Sequence, residues 1–501
     1  MPVYSEPKGI PTKLEIDFIM IHRTQFRTSM YKKTMKNSLF ALSVLFIALQ
    51  LHMYATLDGV YAQDQLRGFE LYQQMGTSGF VQYEGSANIQ WLPGDLGYME
   101  TEQVNGGTEF FAVAPESADR TPLFSKRQLR ALFRGLEQEH GEDLEVLPFS
   151  SFDYVMENKA IFFVYKNQDH VFHLEDLTLR ALYKPKVERA PYTEELMRRM
   201  ETSQLWNGTY SHDYSWFTHV KGYDIYLVNT ETQEEKRLTY GSEEQMNGRP
   251  SWVYPEEFGQ RDAYWFSPDN EKIAYLQYNE TEVYQYPIIH ELEFETGLEL
   301  ERYPKAGEAN PTVNLFIVDI ETGEVQQVPT NSGPDTYIVH PIWRDNSVEL
   351  TFRRFNRKQD YLEFLSYSLD AKEVRTIFTE REDAYINLHD NFYQLNDGEH
   401  FLWTSEQTGF NQLYLYHFDG SLVRQLTSGE NPLGSILRVD QKKSLVYYTA
   451  YHNMGLDEYF HVVSFDGEST KLSEFDGRYT ISMNEAAEYY VSRSSSFDRP
   501  Y

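Results

Sequence analysis

An all-β chain folded as a propeller of four-stranded blades is what the sequence predicts, and two observations carry that prediction. The first is composition: 15% of the 501 residues are aromatic, led by 38 Tyr and 32 Phe, types that favour the half-buried pleated surface of strands over solvated coil. The second is an internal repeat. Four 14-residue segments, Tyr226–Thr239, Phe316–Pro329, Tyr414–Thr427 and Phe460–Ser473, share an aromatic-led apolar strand, a polar turn and a second short strand. A looser copy starts at Phe364. The starts at Phe316, Phe364, Tyr414 and Phe460 lie 48, 50 and 46 residues apart, the length of one blade. Asp-Gly and Thr-Gly dipeptides in three of the turns supply the positive φ that tight hairpins need.

Taken in order, the chain opens with an N-terminal extension and a signal peptide, expected over 1–62. Lys32, Lys33 and Lys36 precede the apolar run from Leu39 to Leu49, and Val60-Tyr61-Ala62 offers a cleavage site before Gln63. These are the basic, apolar and cleavable parts of a secretory signal, and the apolar run is short for a membrane span. Translation is expected to start at Met30 or Met35. The expected location is therefore exported, periplasmic or extracellular, and membrane-anchored if the signal stays uncleaved.

Residues 63–501 are expected to form the propeller domain. Strand and turn units appear at Asn88–Gly94 and Trp265–Asn270, and a charged stretch from Ser125 to Glu142 places Leu129, Leu132, Phe133 and Leu136 at helical spacing. The interval from Tyr226 to Phe316 is 90 residues, close to two periods, but Ser251–Phe258 and the Glu-rich, Pro-containing stretch Glu280–Asn310 break the pattern. Inserted segments of a propeller emerge from blade edges or faces, where binding is commonly placed.

A formal charge of -31 argues against a nucleic-acid partner, because phosphate binding needs a basic surface. The chain has no Cys, which removes disulfides, zinc-thiolate sites and cysteine nucleophiles together. No Gly-x-Ser-x-Gly elbow occurs, so the 14 His and many Asp have no nucleophile around which to form a triad. Zinc-protease, phosphate-loop and dinucleotide motifs are likewise missing. No catalytic residue, metal site or cofactor is expected in this chain.

The segment with chemical promise is Trp252-Val253-Tyr254-Pro255-Glu256-Glu257-Phe258. Two carboxylates in a proline-stiffened aromatic stretch can grip one ammonium group, which offers three donors. Other Glu pairs in this acidic chain, such as Glu234-Glu235, read as solvated surface, so context must decide.

That context is a resemblance. The segment resembles the double-glutamate motif of the dipeptidyl peptidase IV family in the prolyl oligopeptidase clan, and further matches follow in family order: Trp265–Pro268, Ile273–Gln277, Asn279–Val283, Tyr303–Gly307, Asn310–Val313, Arg354–Arg357 and Thr404–Phe410. The resemblance implies that Glu256 and Glu257 hold the α-amine of a peptide substrate with a free N-terminus, and that Trp252 and Tyr254 pack the segment carrying them. It implies eight blades, a serine peptidase that removes N-terminal dipeptides with Pro or Ala second, and a homodimer. It also implies an α/β-hydrolase domain after the propeller, so the chain is expected to stop before its catalytic triad. Two departures stand out: Pro255 replaces a frequent third acidic residue, and Ile161–Phe172 shows no counterpart of the family's carbonyl-binding arginine. The competing readings are a non-catalytic exported propeller that binds peptides or proteins, and a family member that has lost its nucleophile.

Overall fold

The computed structural model describes residues 89–104, 106–185, 208–242, 244–290, 297–389 and 392–496. The expected signal peptide and extension, 1–62, lie outside them. Residues 85–501 form one compact unit, and its described residues carry seven antiparallel blades: blade 1 (90–122), blade 2 (153–182), blade 3 (209–237), blade 4 (246–327), blade 5 (336–381), blade 6 (393–425) and blade 7 (433–471). The resemblance implied eight. Beyond blade 7, Arg478–Met483 and Tyr490–Ser495 form a hairpin that joins blade 7 through the parallel pair Glu458↔Arg478.

The two ends of the ring meet. Trp91 Nε1 donates to Ser482 Oγ at 3.1 Å and Tyr489 Oη donates to Glu116 at 2.8 Å, tying blade 1 to the terminal hairpin. Fourth strands such as Arg120–Pro122, Glu235–Arg237 and Ser469–Lys471 are exposed throughout. They form the outer rim and leave the first strands toward the axis.

Each predicted 14-residue repeat is the hairpin of a blade's third and fourth strands, as in Gln412–His417 with Leu422–Gln425 and Asp457–Ser464 with Ser469–Lys471. The turn glycines behave as expected. Gly420 has φ 95°, and a Cβ there would lie 1.9 Å from the Ile377 carbonyl oxygen, so no other residue fits. In the copy without glycine, Gln233 takes φ 66° instead.

Apolar burial is divided among neighbouring blades, as a radial stack requires. One cluster joins blades 4 to 6 through Tyr254, Phe352 and Phe401, and another joins blades 6 and 7 through Leu413 and Val446. A third packs Phe163 and Phe172 of blade 2 against Leu132 and Leu136. The last two residues belong to helix α1 (Lys126–His140), the helix expected in Ser125–Glu142. Ser125 and Gln128 cap it reciprocally, and Gly141 ends it at φ 69°.

The 90-residue interval resolves as a single enlarged blade. Blade 4 pairs Met246–Asn247 and Tyr264–Phe266 end to end along the same neighbour, Lys272–Asn279. Its first strand is thus split by residues 248–263. A second insertion, the hairpin Gln285–His290 with Gly297–Arg302, projects between the second and third strands and leaves Ile289, Leu298 and Leu300 exposed.

Candidate functional site

The split in the first strand of blade 4 carries helix α2 (Val253–Phe258), which includes both candidate glutamates. Pro255 falls in the first turn, where backbone N–H groups have no intrahelical acceptor, so its missing donor does no harm. Gly259 closes the helix at φ 64° with its N–H on the Tyr254 carbonyl, and Gln260 N–H reaches the same oxygen at 3.1 Å.

One face of this single turn is a deep anchor. Val253, Tyr254 and Phe258 are buried, Tyr254 at 1% exposure. The Phe258 ring lies 5.0 Å from Tyr337 and 6.0 Å from Phe355 of blade 5, and Tyr254 packs edge-on to Tyr278 at 4.8 Å. The Tyr254 hydroxyl accepts the Ile338 N–H at 3.2 Å, and burial pushes its phenol pKa up. Downstream of the turn, Gln260 Oε1 accepts the His340 N–H at 2.7 Å. The helix and the residue after its cap are therefore fixed to blade 5 by packing and by side-chain oxygens that accept blade 5 backbone N–H groups.

Glu256 and Glu257 occupy the opposite, exposed face. Among the described residues no basic side chain is ion-paired with either. Gln359 Nε2 donates to Glu257 Oε2 at 3.5 Å, and the Tyr385 hydroxyl donates to Gln359 Oε1 at 3.1 Å. Gln359 sits in the hairpin turn after Glu349–Asn356 with φ 55°, an uncommon conformation for a side-chain-bearing residue. Backbone bonds from its N–H to Asn356 and to its carbonyl from Ile386 hold it there. Burial first, and then the Glu257 carboxylate, raises the pKa of Tyr385; burial likewise raises that of Tyr337, with Glu257 a lesser contribution.

The four residues singled out from the sequence divide by role in packing. Tyr254 is wholly core. Trp252 is partly exposed and rests edge-on against Tyr303 at 4.3 Å, within the predicted motif Tyr303–Gly307. The glutamates are presented outward by those two. Sequence reasoning missed Gln359 and Tyr385. Gln359 lies two residues past the motif Arg354–Arg357, but the positive φ that turns it toward Glu257 has no sequence signature. Arg357 of that motif is held by Asp335 at 3.1 Å and by the Glu308 carbonyl at 2.6 Å. A cleft of about 590 Å³ opens beside the end of α2, lined by Gln260, His340 and Arg353 among others but by neither glutamate.

Fold and site together define a class: a propeller whose interrupted inner strand presents a carboxylate pair on a rigidly anchored helical turn. The family model described as the dipeptidyl peptidase IV (DPP IV) N-terminal region matches residues 159–501, and the chain belongs to that family. "Dipeptidyl peptidase 4" of Trichophyton tonsurans is 34% identical over 302 residues, covering 56% of this chain and 39% of that protein. "Probable dipeptidyl peptidase 4" of Aspergillus flavus is 29% identical over 307 residues, with the same shares. The fold is shared with the crystal structure of Porphyromonas gingivalis dipeptidyl peptidase 4, at TM-score 0.63 and 21% identity over 85% of this chain and 58% of that one. A putative dipeptidyl aminopeptidase IV from Bacteroides ovatus gives TM-score 0.62 at 20% identity, covering 81% and 58%. The alignments thus span about two fifths of the length of the curated relatives.

Proposed function

We propose that this chain is the substrate-recognition and gating propeller of an exported serine dipeptidyl peptidase, and that Glu256 and Glu257 grip the free α-amine of the peptide. The observation that carries the reading is the family's propeller combined with two exposed carboxylates on a turn whose other face is core. An ammonium held by both would receive charge-assisted hydrogen bonds. Fixing the amine at a set distance from a nucleophile limits cleavage to the bond after the second residue, which is Pro or Ala in the preferred substrates. The nucleophile and the oxyanion hole belong to an α/β-hydrolase domain that works with this propeller. The hairpin Arg478–Met483 with Tyr490–Ser495 is the start of an eighth blade, and the strands Gln285–His290 and Gly297–Arg302, with Ile289, Leu298 and Leu300 exposed, are the contact of a homodimer. Residues 1–62 direct export, to the periplasm or the cell exterior.

In the intact protein, Glu256→Ala and Glu257→Ala are each expected to lower kcat/KM on Xaa-Pro substrates by about a hundredfold or more. Wild-type turnover in both variants would remove the amine-gripping role. Peptide binding without any turnover in the intact protein would favour the alternative, a non-catalytic binding module.

A further inference from the structure

Far along the chain from α2, the C-terminal end of α1 brings Glu139 and His140 against His170 of the blade 2 strand Gln168–His173. One carboxylate oxygen or imidazole nitrogen from each converges, all within 4.8 Å of one another. His170 Nε2 stands 3.1 Å from Glu139 Oε2, and His140 Nε2 stands 3.9 Å from Glu139 Oε1. We infer that Glu139, His140 and His170 form a binding site for one divalent transition-metal ion of the zinc class.

Four features of the cluster suit a cation. The Nδ1 of His170 lies 2.9 Å from the Gln168 carbonyl. A carbonyl only accepts, so Nδ1 carries the proton and Nε2 is the coordinating nitrogen, the arrangement that orients metal-bound histidines generally. The ring is fully buried and stacked on Phe163 at 5.1 Å and 7°, which fixes its direction. The Nε2 of His140 is buried with no hydrogen-bond partner among the described residues, and such an atom is destabilising unless something receives its lone pair or proton. Finally, the last turn of a helix carries partial negative charge, which favours a cation there.

The spacing also fits. Ligands about 2.0–2.2 Å from a tetrahedral zinc lie about 3.3 Å apart, so small side-chain shifts close the observed gaps. Two histidines and a carboxylate leave a fourth position for water, and Glu139 is 29% exposed toward solvent. Bound there, the ion would clip the inserted helix α1 to blade 2.

The test uses the tag-free full chain, stripped with a chelating resin and titrated with Co²⁺ and then Zn²⁺. The expected result is one equivalent of Co²⁺ with the intense visible absorption of a tetrahedral site, displaced by Zn²⁺, together with a rise in thermal midpoint. His140→Ala and Glu139→Gln should each weaken binding on the order of a hundredfold while leaving the circular dichroism unchanged. These two variants are chosen because His170 is core, and its replacement could disturb folding. No stoichiometric binding, or binding that both variants leave unaltered, would overturn the assignment.

Discussion

Blade 6 and blade 4 use the same four-strand frame for different ends. In blade 6 the first strand, Tyr393–Gln394, pairs simply with His400–Ser405, and the connection to Gln412–His417 is a short turn. Its aromatic side chains go into packing: Phe401 and Trp403 lie against Phe378 and Phe392. Blade 4 gives up ladder continuity once, for α2, and lengthens the connection between its second and third strands into the projecting hairpin while that ladder stays unbroken. The interrupted strand survives because α2 returns the lost backbone pairing as hydrogen bonds and core contacts to blade 5. A propeller can thus present charged groups from an interrupted first strand where the insertion carries its own apolar anchor.

Removing that anchor is the harshest way to break the comparison. Phe258→Ala and Phe401→Ala each empty a buried aromatic site and should lower unfolding free energy by about 3–5 kcal/mol, read from denaturant midpoints. Only the first should also abolish peptide recognition at temperatures where both variants stay folded. Equal loss of recognition would show that α2 has no special part.

A smaller effect is expected from Tyr254→Phe. It leaves the buried Ile338 N–H without its acceptor and should destabilise by about 1–3 kcal/mol. A midpoint matching wild type would mean that α2 is held by packing alone.

One source of acid sensitivity should sit in blade 7. There His461 has its pKa lowered from 6.5 to about 4 by burial, with His452 and Lys471 adding to the effect. Its folded pKa lies below its unfolded one, so the unfolded state takes up the proton first. Stability is lost as pH falls from about 6.5 toward about 4, on the order of 1 kcal/mol after solvent screening. His461→Gln should flatten that part of the pH–stability curve, and an unchanged slope would place the sensitivity elsewhere.

The mildest change is Gln359→Leu, which removes one long hydrogen bond to Glu257. It should reduce kcat/KM roughly fivefold, ~1 kcal/mol, with KM carrying most of the loss.

Sequence reading reached the two blades unequally. The regular hairpins of blades 3 to 7 were legible because alternation and turn glycines are local properties. Blades 1 and 2 were not countable: Tyr98–Val104 in blade 1 carries mostly exposed side chains and Gln168–His173 in blade 2 mostly buried ones, so neither shows a clear alternation. In blade 4 motif context singled out the glutamates as candidates and gave the packing part of Tyr254, which is buried. It read the interval as near two periods, because pairing of two separate segments along one strand is a long-range fact. The contact from Gln359, which crosses from blade 5, and the Glu139–His140–His170 cluster, joined across 30 residues of chain, were invisible for the same reason.

The central claim is that the pair on α2 reads a free amine, and one binding measurement tests it directly. Calorimetric titration of the intact protein would compare an Xaa-Pro peptide with its N-acetylated form, on wild type and on Glu257→Gln. Acetylation should weaken wild-type binding about a hundredfold and should matter far less to the variant, because the interaction it removes is already lost. Equal affinity of wild type for the two peptides would contradict the account.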